Sequence, residues 1–107
     1  MFGFIETTHL SEIIEGSEKE TVAILKYSND CGSSARLVSE IEKIASHGKI
    51  MPIYLVTVQK HIVLSAKIAE MFEVKHESPQ IFILKSGKVL YTEHHKKIDL
   101  NRIISPK

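Results

Sequence analysis

The chain has 107 residues, 43% of them hydrophobic and 25% charged, with a formal net charge of +1. That composition predicts one globular domain with a modest core. It argues against electrostatic capture of nucleic acid or an anionic membrane, and no apolar run reaches the ~20 residues of a membrane span.

Met1-Phe2-Gly3-Phe4-Ile5 lacks a basic residue and runs into Glu6, so no secretory leader is expected and the cytosol is the expected compartment. Thr8 to Glu15 reads as a short helix. Leu10, Ile13 and Ile14 share one face, Thr7 or Thr8 is positioned to cap it, and Gly16 follows as a stop. Thr21 to Tyr27 is apolar and partly β-branched, which suits a central strand covered on both faces. From Ser34 to His47 the period becomes helical, carried by Leu37, Val38, Ile41, Ile44 and Ala45, and Gly48 ends it.

Met51 to Val58 reads as a second strand with Pro52 at its start. A helix between two such strands implies that they run parallel. Leu64, Ile68, Ala69 and Phe72 mark a further helix. Ser78-Pro79 opens a third strand, Gln80 to Lys85, which turns through Ser86-Gly87-Lys88 into a fourth, Val89 to Thr92. Asp99 is placed to cap a last short helix carrying Leu100, Ile103 and Ile104.

The order α, β, α, β, α, β, β, α is that of the thioredoxin fold. It predicts an α/β architecture with a four-stranded mixed sheet. The Thr21 strand should lie between the Met51 and Gln80 strands, with the Val89 strand outermost. The two middle helices and the terminal helix should pack on the faces of this sheet.

Two features of this order carry chemistry. Cys31 is the only cysteine, so it forms no internal disulfide. It stands at a strand-to-helix junction, where free N–H groups and the helix dipole favour a thiolate; a pKa below the free value of about 8.5 is expected. The second feature is Ser78-Pro79, which this topology brings to the same end of the sheet. A proline there is expected to be cis, with the backbone before it free to pair with an extended substrate.

Ser34 holds the place where a dithiol enzyme has its resolving cysteine. Its hydroxyl can donate to a Cys31 thiolate but cannot attack a disulfide. Gly32 removes a Cβ from the approach to Cys31, the Gly32-Ser33 backbone adds donors, and Lys26 adds positive potential. His76 and Glu77 read as polar residues beside a turn. His94 and His95, as neighbours in a strand, should point to opposite faces; no other cysteine or clustered carboxylate completes a ligand set, so no metal site is expected.

The stretch Lys26-Tyr27-Ser28, Cys31 and Ser34 resembles the active-site segment of the YtxJ-like monothiol bacilliredoxins. The run Phe72-x-Val74-x-His76-Glu77-Ser78-Pro79-Gln80 resembles their second signature, and the likeness extends over about residues 4 to 104. Where those proteins commonly carry Cys-Pro-Ile-Ser, this chain has Cys31-Gly32-Ser33-Ser34, which is similar to the Cys-Gly-x-Ser of monothiol glutaredoxins.

The resemblance implies a thiol-disulfide oxidoreductase. Its co-substrate would be a low-molecular-weight thiol, bacillithiol or glutathione, with no tightly bound cofactor. Its partners would be client proteins carrying mixed disulfides. Two alternatives use the same residues differently. A carrier would hold a [2Fe–2S] cluster between two chains with two small thiols as the remaining ligands. A redox-inert interaction domain would share the fold alone.

Overall fold

The computed structural model describes residues 3–30 and 32–104; Cys31 lies outside the described residues. Its elements are α1 (Leu10–Lys19), β1 (Val22–Tyr27), α2 (Gly32–His47), β2 (Ile53–Thr57), α3 (Ile62–Phe72), β3 (Gln80–Lys85) and β4 (Lys88–His94). Two 3-10 turns follow, His95–Lys97 and Leu100–Ile103. The sheet order is β2-β1-β3-β4, with β1 parallel to β2 and antiparallel to β3, and β4 antiparallel to β3.

β1 is central because both of its faces are apolar and both are buried. Ala23 and Leu25 face α2, packing with Leu37 and Ile41. Val22 and Ile24 face the other way, with Ile13 of α1 and Leu64 and Ile68 of α3. α2 and α3 thus each bury an apolar pair four residues apart, Leu37 with Ile41 and Leu64 with Ile68, one turn along the inner stripe. A fully buried Ile or Leu contributes about 1.5–3 kcal/mol, so these pairs hold the helices to the sheet.

α1 shares the second face with α3, a placement absent from the expected packing. It also runs through Gly16 instead of stopping there. A Cβ at Gly16 would stand 2.5 Å from the Tyr54 hydroxyl, so the glycine serves close packing of α1 against β2 and not termination. Neither threonine caps the helix. His9 is the N-cap without a side-chain bond, while Thr7 Oγ1 donates to the Glu12 carboxylate and accepts from His9 N–H. The far end of α1 docks on the β3–β4 hairpin: Ser17 Oγ accepts Gly87 N–H at 2.9 Å, and Ser17 O accepts Ser86 N–H at 2.8 Å. Ser86 and Gly87 both have positive φ, 52° and 74°, the conformation of a tight hairpin turn.

Two short segments finish the frame. Ile5 bridges the outer edge of β2 in parallel, exchanging backbone bonds with Ile53 and Leu55. The last helix is a 3-10 turn, capped as expected by Asp99, whose carboxylate accepts Asn101 N–H. Its Ile103 is fully buried on the α2 side, and Met51 N–H donates to Ile103 O at 3.0 Å. Among the described residues no helix is long and apolar enough to cross a membrane.

Candidate functional site

The site forms where β1 ends and β3 begins. Antiparallel pairing sets Lys26 opposite Gln80, so the loop after β1 and the residues before β3 meet at one end of the sheet. The first loop is Ser28 to Asp30, leading to Cys31; the second is Lys75 to Pro79. The Ser78–Pro79 bond is cis. Pro79 is buried, and its carbonyl accepts His95 N–H at 3.0 Å, which fixes the loop to the end of β4.

Cys31 is joined directly to Gly32, the first residue of α2. The expected position of its thiol lies outside the described residues. Gly32 is exposed, and a Cβ built on it meets nothing within 4 Å, so nothing in the fold itself asks for glycine there. Ser33 is exposed and lines a cleft of about 720 Å³. One wall of the cleft carries Ser33, Arg36 and Glu40 of α2; the other carries Pro79 and the segment from His94 to Leu100.

Ser34 is fully buried, and its Oγ accepts Ser28 N–H at 3.2 Å. That bond ties the first turn of α2 back to the loop before Cys31. Accepting one bond leaves the hydroxyl still able to donate. Ser78 Oγ is buried without a partner among the described residues, as is Thr92 Oγ1.

Gln59, which the sequence reading passed over, braces the same loop. Its carbonyl accepts Asn29 N–H at 3.1 Å, and its amide donates to Ser28 Oγ at 2.8 Å and Asp30 Oδ2 at 3.4 Å. A polar residue just past a strand carries no periodic signal, and its contacts lie about thirty positions upstream, so only the fold exposes this role.

Lys26 lies inside the fold. Its side chain is 0% exposed. Nζ donates to Ser65 O at 3.0 Å and stands 3.2 Å from His76 Nδ1, which serves as acceptor. Burial lowers the amine to about 8. The His76 imidazole is also lowered, first by burial and then by the Lys26 charge, with Glu77 acting in the opposite sense. Lys26 therefore ties β1 and α3 to the loop that carries Pro79, a positioning role. His76 serves as its hydrogen-bond partner.

His94 and His95 also differ from expectation. Strand alternation would separate their rings, but β4 ends at His94, and His95 starts a 3-10 turn with φ of 52°. The two Nδ1 atoms stand 3.0 Å apart and the rings meet edge to face at 89°. The Glu77 carboxylate joins them: one ligand atom from each of the three residues falls within 4.8 Å of the others. The carboxylate that the sequence reading found lacking is supplied from seventeen positions upstream by the loop before Pro79.

This geometry has parallels among solved structures. A candidate oxidoreductase with a thioredoxin fold is 29% identical, covering 91% of this chain and 87% of its own, with a TM-score of 0.76. Thioredoxin from Trypanosoma brucei brucei aligns at 18% identity over 87% of this chain and 79% of its own, with a TM-score of 0.69. Fasciola hepatica thioredoxin aligns at 17% over 89% and 86%, with a TM-score of 0.67. The last two show the fold alone, and the fold is that of thioredoxin. The model of the monothiol bacilliredoxin BrxC family matches residues 5–103, nearly the whole length, and the chain belongs to that family.

Proposed function

We propose that this protein is a cytoplasmic monothiol thiol-disulfide oxidoreductase that removes a low-molecular-weight thiol from mixed disulfides on client proteins through Cys31. The observation that carries the reading is the meeting of two loops. The Lys26–Gln80 pairing sets the Ser28 to Asp30 loop, which leads into Cys31 in the sequence, and the cis Ser78–Pro79 bond at the same end of the sheet.

In the reaction, the Cys31 thiolate attacks the sulfur of the small thiol within the mixed disulfide. The S–S bond to the client's sulfur breaks, the client leaves as a thiolate, and a disulfide joins Cys31 to the small thiol. A second small-thiol molecule, as thiolate, attacks the sulfur of that thiol. It leaves as the symmetric small disulfide and returns Cys31 as thiolate, so each step exchanges one S–S bond for another. With no second cysteine in the chain, internal resolution is absent from this scheme.

The residues around Cys31 suit these steps. The N-terminus of α2, sixteen residues long, favours the thiolate by about 0.3–1 kcal/mol, and Ser34 offers a further donor. Arg36, Lys96 and Lys97 line the cleft and supply cations for the carboxylates of a thiol such as bacillithiol or glutathione. The Ser78 backbone, beside the cis bond, is placed to pair with an extended client segment.

Intact-mass analysis tests the proposal. The reduced protein is incubated with client proteins carrying either bacillithiol or glutathione. The expected result is a wild-type adduct of one small thiol on Cys31, with the client released reduced and no adduct on Cys31→Ser. Absence of any adduct on wild type, with either thiol, would overturn the monothiol mechanism in favour of a redox-inert module.

A further inference from the structure

We propose that Glu77, His94 and His95 form a binding site for one divalent transition-metal ion of borderline softness, such as Zn²⁺. The donor set is two imidazoles and one carboxylate, a combination that suits such ions and leaves a position open for water or an external ligand. The site is independent of the thiol chemistry proposed for Cys31.

The spacing fits one ion. Two nitrogens bound at about 2.0–2.1 Å in tetrahedral geometry stand about 3.3 Å apart. The Nδ1 atoms of His94 and His95 are 3.0 Å apart with their rings nearly perpendicular, 89° between planes. One ligand atom from each of the three residues, a ring nitrogen or a carboxylate oxygen, falls within 4.8 Å of the others. Ligands of a single ion lie at most about 4.2 Å apart, so a small rotation of the half-buried Glu77 closes the set.

The backbone is arranged to hold this set. Gln80, 1% exposed, is the common anchor: its side chain accepts Glu77 N–H at 3.2 Å and donates to Lys75 O at 3.0 Å. Its backbone is registered opposite His94. His95 N–H donates to Pro79 O, fixing the third member to the same loop. His95 occupies the left-handed region at φ 52°, which non-glycine residues rarely adopt. That conformation departs from the strand alternation that would otherwise have carried its ring away from His94.

Charge and access agree. Two neutral imidazoles and a carboxylate leave a divalent ion with a net charge of +1, and exposed His95 with half-buried His94 and Glu77 gives it solvent contact. His94 and His95 also line the cleft beside Ser33 and Pro79, so an ion held there borders the proposed thiol site.

The test is calorimetric titration of Zn²⁺ into the full-length Cys31→Ala protein, which removes the competing thiol, alongside imidazole nitrogen NMR. The expected result is one ion per chain, with the Nδ1 resonances of both His94 and His95 moving as directly bound nitrogens do. Glu77→Gln and His94→Ala should each raise Kd by at least about tenfold, equivalent to about 1.4 kcal/mol. His47→Ala, at the last residue of α2, should leave Kd unchanged. Glu77→Gln keeps the shape of the side chain, so its result is read without concern for folding. Unmoved imidazole signals under excess Zn²⁺ would mean that the two rings share only a proton, and the proposal would fail. Binding unaffected by Glu77→Gln and His94→Ala would equally overturn it.

Discussion

Replacing Lys26 with methionine tests the reading of the buried amine. Methionine matches the length of the lysine stem and removes the charge. In the wild type, Lys26 is held at a pKa of about 8, against 10.5 in an unfolded chain, because burial disfavours the ammonium. Below pH 8 both states hold the proton, and the folded state bears the full desolvation penalty. Between pH 8 and 10.5 the native state has released the proton while the unfolded state keeps it, so stability rises with pH. At about 1.4 kcal/mol per pH unit, the rise across this window is on the order of 3 kcal/mol.

The assay is urea unfolding of wild type and Lys26→Met at pH 7, 8, 9 and 10. The difference between the two stabilities isolates Lys26. It cancels Tyr54, whose hydroxyl is raised from 10.0 by burial and by the charges of Glu12 and Glu20 and which destabilises the fold at the alkaline end. Wild type should gain on the variant steadily above pH 8. At neutral pH, two opposing terms nearly balance: the variant escapes the desolvation cost but leaves Ser65 O and His76 Nδ1 without their donor. A stability difference that stays flat from pH 7 to 10 would refute the burial argument.

Two further outcomes follow from named contacts. Ser34→Ala removes the acceptor of Ser28 N–H and the donor proposed for the Cys31 thiolate; the pH midpoint of iodoacetamide alkylation should move up by roughly one unit, and an unmoved midpoint would separate Ser34 from the thiol. Ile103→Ala empties a fully buried position in the 3-10 turn against α2; urea unfolding should show a loss of about 2–5 kcal/mol, and a loss below 1 would mean that the terminal turn is not part of the core.

The sheet order was legible because apolar runs bounded by turn residues mark strands. A run buried on both faces, such as Val22–Leu25, also marks the centre of a sheet. Helix boundaries were less legible. Gly16 reads as a stop by propensity, worth about 1 kcal/mol against Ala, but the tertiary requirement for a close approach of Tyr54 outweighs it. The Ile5 bridge to β2 escaped notice because a two-residue pairing carries no periodicity.

The chemistry of the site was legible where it depends on chain position and illegible where it depends on partners far away in sequence. Ser78-Pro79 reads as a loop feature from the dipeptide itself. Lys26 reads as a strand-end charge, because the groups that receive its hydrogen bonds lie 39 and 50 residues downstream. His94 and His95 read as diverging because alternation was carried one residue too far; that rule holds only while the strand lasts, and β4 stops between the two. Gln80 joins these cases. It is registered opposite Lys26 on one side and His94 on the other, and its side chain holds Glu77. One buried amide at the entrance to β3 thus couples the loop facing the Cys31 segment to the three residues proposed to hold a metal. The Pro79–His95 hydrogen bond is a second tie between the same loop and the histidine pair.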